Sequence, residues 1–353
     1  MDDRVIDDTD LPLERKSLLP GRGFFVPDEL HRERRAERVE AAATDATTLV
    51  VADPDADGLA CAAIVGAVHE GAALVPVGPH DLAEGLAAAA EHAPADARVF
   101  VCDLCPDSPE AVADALAALG DREVRWFDHH EWDDDTAAAV REAGVELVVG
   151  DDECTADVAV RELPGVPDHL RELAAVTRDH DLWIKDDPRS DDLADYAHWV
   201  EEPEEYVEVV REYGPDLPGE VEAFLAERRV EKEALIGRAV DRAEFHDAGP
   251  WTVALTYGRC SQNEVAETLR GEGADAAAVV KPSGAASIRG TESFERAHEV
   301  ARRLGGGGHP RAAGCKPDIY DDMLDYARHW VTQGEVAKRE ILAAFEAVAD
   351  ASE

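Results

Sequence analysis

Residues 123–130 read EVRWFDHH, a short apolar strand that ends in an acid and two adjacent histidines. The same pattern occurs upstream, where the strands TTLVVAD (47–53) and RVFVCD (98–103) also end in aspartate. Helical segments such as 58–71 and 109–120 separate these strands, and strands that alternate with helices form parallel sheets with helices on both faces. The N-terminal half is therefore predicted to be an α/β domain whose acidic strand ends share one edge of the sheet.

The remaining pattern predicts how the chain is divided. Residues 186–245 are polar and helical with proline breaks, and a second β-containing region follows, beginning with WTVALTYG (251–258). With 353 residues the chain is long enough for two domains. We expect, in chain order, a polar helical extension, a parallel-sheet domain, a helical connector, a smaller α/β domain and a C-terminal helix, at residues 1–40, 41–185, 186–245, 246–320 and 321–353.

The charge balance is extreme, since 35 Lys and Arg residues face 78 Asp and Glu residues and the formal net charge is −43. Such a chain repels itself at low ionic strength, whereas molar salt shortens the Debye length to about 3 Å and screens the repulsion. We therefore expect a high-salt cytoplasm, as in halophilic archaea; the alternative is a nucleic-acid mimic or a partner for a basic protein. A halophilic surface is acidic whatever its site binds, so this charge is weak evidence against a nucleic-acid substrate.

The distribution of apolar residues predicts where in the cell the protein is found. No run approaches 18 apolar residues, and the first ten residues, MDDRVIDDTD, lack the apolar core of a signal peptide. We expect a cytoplasmic protein that has no membrane partner.

Acids and imidazoles follow three predicted strands. They are Asp53, Asp55, Asp57, Asp103, Asp128, His129 and His130. Because ligand sites of open parallel sheets form beyond the carboxyl ends of the strands, we expect these side chains to converge. Carboxylates and imidazoles together suit Mn²⁺ or a similar divalent ion. Several neighbouring carboxylates need more than one cation to offset their repulsion, so we expect two ions that would clamp a phosphate and activate a water.

Two further segments carry candidate residues. RDHDLW (178–183) places Asp179 and Asp181 at a helix end, and either could supply a fourth acidic group. In GGGGHPRAAG (305–314), consecutive glycines let backbone N–H groups approach an anion, and an arginine can hold phosphate through two hydrogen bonds. This segment predicts a phosphate-binding turn formed by Gly306, Gly307, Gly308, His309 and Arg311.

Together these segments resemble the DHH phosphoesterase superfamily. The resemblance rests on DPDADG (53–58), CD (102–103), DHH (128–130), RD (178–179) and GGGGHPRAAG (305–314), the last of which is similar to the GGGHxxAAG element of the DHH-associated C-terminal domain. It implies a catalytic DHH domain at 41–185, a substrate-binding domain at 246–320, and an active site in the cleft between them. Asp53, with Val51 where other branches carry histidine, favours the RecJ-like branch.

The resemblance also implies roles for single residues. Asp53, Asp55, Asp57 and His129 match metal ligands, and Asp103 matches the carboxylate that bridges both ions. His130 would lie near the substrate phosphate, and Asp128 would orient the histidine pair. Asp179 best matches the fourth acidic ligand, with Asp181 as the alternative, and Arg289 and His309 match substrate contacts.

The implied activity is hydrolysis of single-stranded DNA or RNA, or of short oligonucleotides, from an end, with two Mn²⁺ ions that Mg²⁺ or Co²⁺ could replace. One alternative is a small-nucleotide hydrolase acting on cyclic dinucleotides or 3′-phosphoadenosine 5′-phosphate, and another is a non-catalytic replication scaffold. The family implies a homodimer and replication or repair proteins as partners. Bacterial RecJ exonucleases carry an additional nucleic-acid-binding barrel, for which this chain has no room, and this puts a long processive grip on DNA in doubt.

Overall fold

The computed structural model describes residue 37 and residues 39–106, 108–319 and 323–351. They form two compact units, the first ending at Ala226 and the second beginning at Glu227. The predicted extension 1–40 lies almost entirely outside the described residues. Within the described ranges, no helix combines the length and the apolar composition needed to cross a bilayer.

The first unit contains a five-stranded sheet in the order β2-β1-β3-β4-β5, with every neighbouring pair parallel. Its strands are β1 (Thr48–Ala52), β2 (Ala72–Pro76), β3 (Arg98–Cys102), β4 (Val124–Asp128) and β5 (Glu146–Val149). All five residues of β1, TLVVA, are buried, as expected of a parallel strand covered on both faces. The predicted parallel α/β sheet is confirmed.

Helical residues at 39–43 precede β1, and nine further α-helices of the described chain belong to this unit or lead out of it. They are α1 (Ala56–Val68), α2 (Leu82–His92), α3 (Pro109–Leu119), α4 (Asp134–Glu142), α5 (Thr155–Glu162), α6 (Asp168–Asp181), α7 (Arg189–Trp199), α8 (Pro203–Tyr213) and α9 (Gly219–Asp241). Successive strand residues point to opposite faces, so Val50 and Phe127 join one core while Val51 and Trp126 join another. Helix α1 and helices α5–α9 cover the first core, and α2–α4 cover the second.

The strand order determines where a site can form. β1 lies between β2 and β3, so the direction of winding reverses at β1, and a crevice opens beyond the carboxyl ends at such a reversal. The strands β1, β3 and β4 are neighbours, and their carboxyl ends lead into Asp53, Asp103 and Asp128. The fold therefore brings the predicted acidic strand ends to one edge.

The second unit contains a six-stranded mixed sheet in the order β10-β11-β9-β8-β7-β6, in which only β7 and β8 are parallel. Its strands are β6 (Glu244–Ala248), β7 (Trp251–Tyr257), β8 (Ala276–Val280), β9 (Ala286–Gly290), β10 (Gly307–Gly308) and β11 (Ala312–Cys315). Its helices are α10 (Gln262–Gly271), α11 (Ala297–Arg303), α12 (Met323–Val331) and α13 (Glu335–Asp350).

The end of the chain differs from the single predicted helix, because α12 and α13 are separate. Gln333 and Gly334 between them have φ values of 53° and 73°, a left-handed conformation that cannot continue a right-handed helix. The glycine therefore ends one helix and starts the next.

The turn into β10 gives a stability prediction. A Cβ at Gly306 would lie 2.1 Å from the Gly314 carbonyl oxygen, whereas a Cβ at Gly307 would meet no described atom within 4 Å. Because backbone cannot move aside cheaply, we expect Gly306→Ala to lower the free energy of unfolding by about 1–3 kcal/mol. Gly307→Ala, the matched control, should change it by less than about 0.5 kcal/mol. Thermal unfolding followed by circular dichroism in molar KCl measures both; equal stability of the two variants would contradict this packing.

Candidate metal centre

The loop after β1 places acids at the start of α1. Asp55 is the N-cap of this helix, and its Oδ1 accepts hydrogen bonds of 3.0 Å from the N–H groups of Asp57 and Gly58. Asp57 lies in the first turn and is 1% exposed. A Cβ at Gly58 would lie 2.3 Å from the Asp53 carbonyl oxygen, so only glycine permits this tight approach. The spacing of DPDADG thus reflects a capped helix start.

The start of α5 holds two of the acids. The Thr155 N–H donates to Asp57 Oδ2 at 2.7 Å, and the Ala156 N–H donates to Asp57 Oδ1 at 2.8 Å. The Thr155 hydroxyl donates to Asp103 Oδ1 at 3.0 Å. Free N–H groups at a helix start favour a carboxylate, so α5 fixes the position of Asp57 and, through Thr155, of Asp103.

Asp103 lies at the end of β3 and is 3% exposed. Its φ is 60°, in the left-handed region that non-glycine residues rarely adopt. Such a conformation costs free energy and persists only where the surroundings enforce it. Here the strained backbone places the carboxylate in the cluster described below.

The DHH segment 128–130 begins at the last residue of β4, and the buried Asp128 supports the two histidines. Asp128 Oδ1 accepts from the His129 N–H at 2.9 Å and from His130 Nδ1 at 2.7 Å, and Oδ2 accepts from Trp132 Nε1 at 2.7 Å. The hydrogen bond with Asp128 raises the pKa of His130 to about 9, so His130 is a cation near neutral pH. Burial and the neighbouring His130 charge lower the pKa of His129, which leaves it a neutral imidazole.

Neutral His129 stands between two acids from other elements. Its Nε2 lies 3.4 Å from Asp103 Oδ1 and 3.4 Å from Asp181 Oδ2. Two groups of donor atoms, each within 4.8 Å of one another, could hold a metal ion: Asp103 with His129 and His130, and Asp57 with His129 and Asp181. Residues far apart in the chain, such as Asp57 and Asp181, thus meet at one point.

The acids in and beside this cluster hold their protons more tightly than ordinary carboxyl groups. Burial, together with neighbouring carboxylates, raises the pKa of Asp57 to about 6, of Asp53 to about 7 and of Asp181 to about 8. The same causes raise the pKa of Asp103 well above its usual range. Asp181 Oδ2 is buried and accepts no hydrogen bond from the described residues. These oxygen and imidazole donors fit Mn²⁺ or Mg²⁺.

Asp179, the residue predicted as the fourth acidic ligand, is not part of this cluster. Its Oδ1 accepts from the Asp186 N–H at 2.8 Å and its Oδ2 accepts from Ser190 Oγ at 2.7 Å. Burial would raise the pKa of Asp179, but these hydrogen bonds lower it below its usual value. Positions two residues apart in an α-helix are rotated by about 200° around the helix axis, so the side chains of Asp179 and Asp181 point in different directions. The structure brings Asp181, the alternative, to the site instead.

The candidate residues of the second unit lie on β9 and on the β10–β11 hairpin. Arg289 Nε donates to Asn263 Oδ1 at 2.8 Å, and its side chain is partly buried. Burial and the nearby Arg270 lower its pKa. The hairpin pairs Gly307 with Gly314, and its turn exposes His309 and Arg311.

Sequence reasoning did not select Thr155 or Asn263. Thr155 contacts Asp57 from 98 positions away in the chain, which no local pattern signals. Asn263 lies in the first turn of α10, in the segment Ser261-Gln262-Asn263, where it reads as an ordinary helix start. Both residues orient the charged groups that the sequence did select.

The raised pKa values predict how a divalent ion stabilises the protein. A carboxyl whose folded-state pKa exceeds its usual value of 3.8 holds its proton more tightly in the folded state. The metal-free protein should therefore lose stability as pH rises from about 4 to about 8, through the values of Asp57 and Asp181. A cation removes this penalty, so Mn²⁺ should raise Tm more at about pH 8.5 than at about pH 5. Calorimetry against an EDTA-treated sample measures this, and an equal or larger shift at the lower pH would contradict it.

No protein-family model and no curated protein matches this sequence. Among solved structures, the chain is similar to exonuclease RecJ bound to manganese, with a TM-score of 0.54 and 18% identity over 90% of this chain and 94% of that one. It is also similar to the DHH domain of a protein described as a member of a ribosomal protein family, with a TM-score of 0.58 and 15% identity over 96% of each chain. The protein therefore has the fold of DHH-domain proteins, and it shares that fold with a RecJ exonuclease.

Proposed function

We propose that this protein is a Mn²⁺-dependent phosphodiesterase that hydrolyses single-stranded nucleic acid or short oligonucleotides from an end, as a RecJ-like exonuclease does. One observation carries the proposal: carboxylates from three loops or helices surround the neutral imidazole of His129 in two overlapping groups, whose donor atoms lie within 4.8 Å of one another. Several buried acids with raised pKa values share one neighbouring cation, His130, and such a group is costly in a purely structural role.

The proposed ligands are Asp53, Asp55, Asp57, Asp103, His129 and Asp181. Two divalent cations held there would lower the pKa of a bound water and neutralise a substrate phosphate. The protein contributes the arrangement: α5 fixes Asp57 and Asp103, and the neutral state of His129 keeps a nitrogen lone pair for a metal. His130, a cation supported by Asp128, would stabilise negative charge that develops on the phosphate.

We assign the substrate contacts of the second unit to the residues predicted from the sequence. Arg289 is oriented by Asn263, and exposed Arg311 and His309 offer charge and hydrogen bonds to a phosphate or sugar. The sequence also predicts contacts from Gly306, Gly307 and Gly308, but the Gly306 N–H already donates to the Ala301 carbonyl oxygen at 2.9 Å, so only Gly307 and Gly308 are kept in this set.

A substrate panel tests the proposal. Purified protein in molar KCl with Mn²⁺ is given single-stranded DNA and RNA oligomers of graded length, cyclic dinucleotides and 3′-phosphoadenosine 5′-phosphate. We expect mononucleotides to be released from the oligomers and the reaction to stop when EDTA is added. Hydrolysis confined to the small nucleotides would replace the exonuclease with a small-nucleotide hydrolase, and no hydrolysis of any phosphate ester would overturn the proposal.

A further inference from the structure

Trp132 lies two residues beyond the DHH segment and contacts the oxygen of Asp128 that the histidines do not use. Its Nε1 donates to Asp128 Oδ2 at 2.7 Å, a distance typical of a strong hydrogen bond to a charged acceptor. Asp128 Oδ1 meanwhile accepts from the His129 N–H and from His130 Nδ1. The two oxygens of one buried carboxylate therefore link the indole of Trp132 to the imidazole of His130.

The position of Trp132 is set by a second tryptophan. Residues 129–133 belong to neither a strand nor a helix, so no backbone ladder holds the indole. Its ring instead meets that of Trp126 edge to face, with centroids 5.3 Å apart and ring planes at 85°, an arrangement that aromatic rings favour. Trp126 is a fully buried residue of β4, and its Nε1 donates to the Leu104 carbonyl oxygen at 2.8 Å. The sheet therefore fixes the point from which Trp132 reaches Asp128.

The hydrogen bond from Trp132 affects how His130 is held. A buried carboxylate oxygen without a donor costs free energy, so Asp128 would turn toward another donor if the indole N–H were removed. That turn would move Oδ1 away from His130 Nδ1. The side chain of His130 is 45% exposed, so packing restrains it little and its bond to Asp128 sets its orientation.

We propose that Trp132 is a positioning residue for the hydrolysis: its indole N–H fixes the Asp128 carboxylate and, through it, the orientation in which the His130 imidazole meets the phosphate under attack. The inference rests on the proposed phosphodiesterase function and adds to it a residue outside the DHH segment. A ring that only filled space beside Trp126 could be replaced by phenylalanine without loss, whereas a hydrogen-bond donor could not.

Trp132→Phe tests the inference because it keeps an aromatic ring and removes the N–H. We expect kcat on a single-stranded oligomer to fall by about 10-fold to 100-fold, as for the loss of other groups that orient the residues of a metal site. KM and the Mn²⁺ affinity from calorimetry should stay within about two-fold of the wild type, because His130 acts on charge that develops in the transition state. Thermal unfolding in molar KCl checks that the variant is folded.

Trp251→Phe in the second unit is the matched control. Trp251 is also partly buried, donates its Nε1 to the Ser293 carbonyl oxygen at 3.1 Å and meets Phe294 edge to face at 4.9 Å. This variant loses the same kind of donor and the same kind of ring contact, but it has no contact with Asp128. It should keep the kcat of the wild type.

Two further measurements separate positioning from packing. In an Asp128→Ala background the acceptor is gone, so Trp132→Phe should lower kcat no further. The second measurement is NMR of the indole N–H groups, which needs no substrate. The chain has six tryptophans, and the resonance of Trp132 is the one that Trp132→Phe removes. We expect it to lie downfield in the wild type and to move upfield in Asp128→Ala.

Several outcomes would overturn the inference and leave the phosphodiesterase function standing. They are a kcat for Trp132→Phe within about two-fold of the wild type, a full additional loss in the Asp128→Ala background, and an indole resonance that Asp128→Ala does not move. A fall in Mn²⁺ affinity that matches the fall in kcat would place the effect on the metal ligands and would also overturn it. A wild type that hydrolyses no phosphodiester would instead refute the proposed function, and with it this inference.

Discussion

Asp103→Asn is expected to reduce kcat/KM for phosphodiester hydrolysis by at least about 10³-fold while the protein stays folded. Asp103 Oδ1 lies 3.4 Å from His129 Nε2 and 3.8 Å from His130 Nδ1, so its charge is central to the cluster. Asparagine keeps an oxygen that can accept the Thr155 hydroxyl, and it removes a buried carboxyl whose pKa is raised by burial and by the surrounding aspartates.

The Asp103→Asn variant should therefore lose activity without losing stability. Thermal unfolding in molar KCl without added metal should give a Tm equal to or above that of the wild type, because the removed charge was destabilising. Asp114→Asn, an exposed position on α3, is the matched control and should leave both quantities unchanged. Turnover within about ten-fold of the wild type in Asp103→Asn would contradict a role at the centre of the metal site.

A second large effect distinguishes Asp181 from Asp179. Asp181→Asn should lower kcat/KM by about 10²-fold or more and weaken Mn²⁺ binding, because it removes a charge 3.4 Å from His129. Asp179→Asn should instead lower the free energy of unfolding by about 1–3 kcal/mol, because asparagine offers one acceptor oxygen where the carboxylate accepts from both Ser190 and Asp186. Mn²⁺ titration calorimetry and thermal unfolding of both variants measure the contrast.

The two variants should also differ in their affinity for Mn²⁺. The folded fraction of Asp179→Asn should bind Mn²⁺ with wild-type affinity. If Asp179→Asn lost metal affinity while Asp181→Asn kept it, the ligand assignment would be reversed.

Much of the fold could be predicted from local sequence. Continuous apolar runs such as TLVVA between helical segments define buried parallel strands, and the parallel sheet with helices on both faces is confirmed. The convergence of the acids follows from the same reasoning, because the carboxyl ends of neighbouring parallel strands share an edge. Strand-end residues such as Asp103 and Asp128 are therefore found from sequence alone.

The parts that sequence could not decide depend on distant backbone. In RDHDLW the two acids differ only in helical phase, and which one faces the cluster depends on residues 186–190, which fold back onto Asp179. The contact between Thr155 and Asp57 likewise depends on the packing of separate helices. The single C-terminal helix was wrong for the described residues because its break depends on the left-handed conformation at Gln333 and Gly334.

A crystal structure of the protein soaked in Mn²⁺, with anomalous diffraction collected at the manganese edge, tests the central claim most directly. We predict two anomalous peaks, both within coordination distance of Asp103, one of them also bound by Asp57, His129 and Asp181. Peaks that lie away from these four residues, or no peak at saturating Mn²⁺, would contradict the metal centre and the hydrolase built on it.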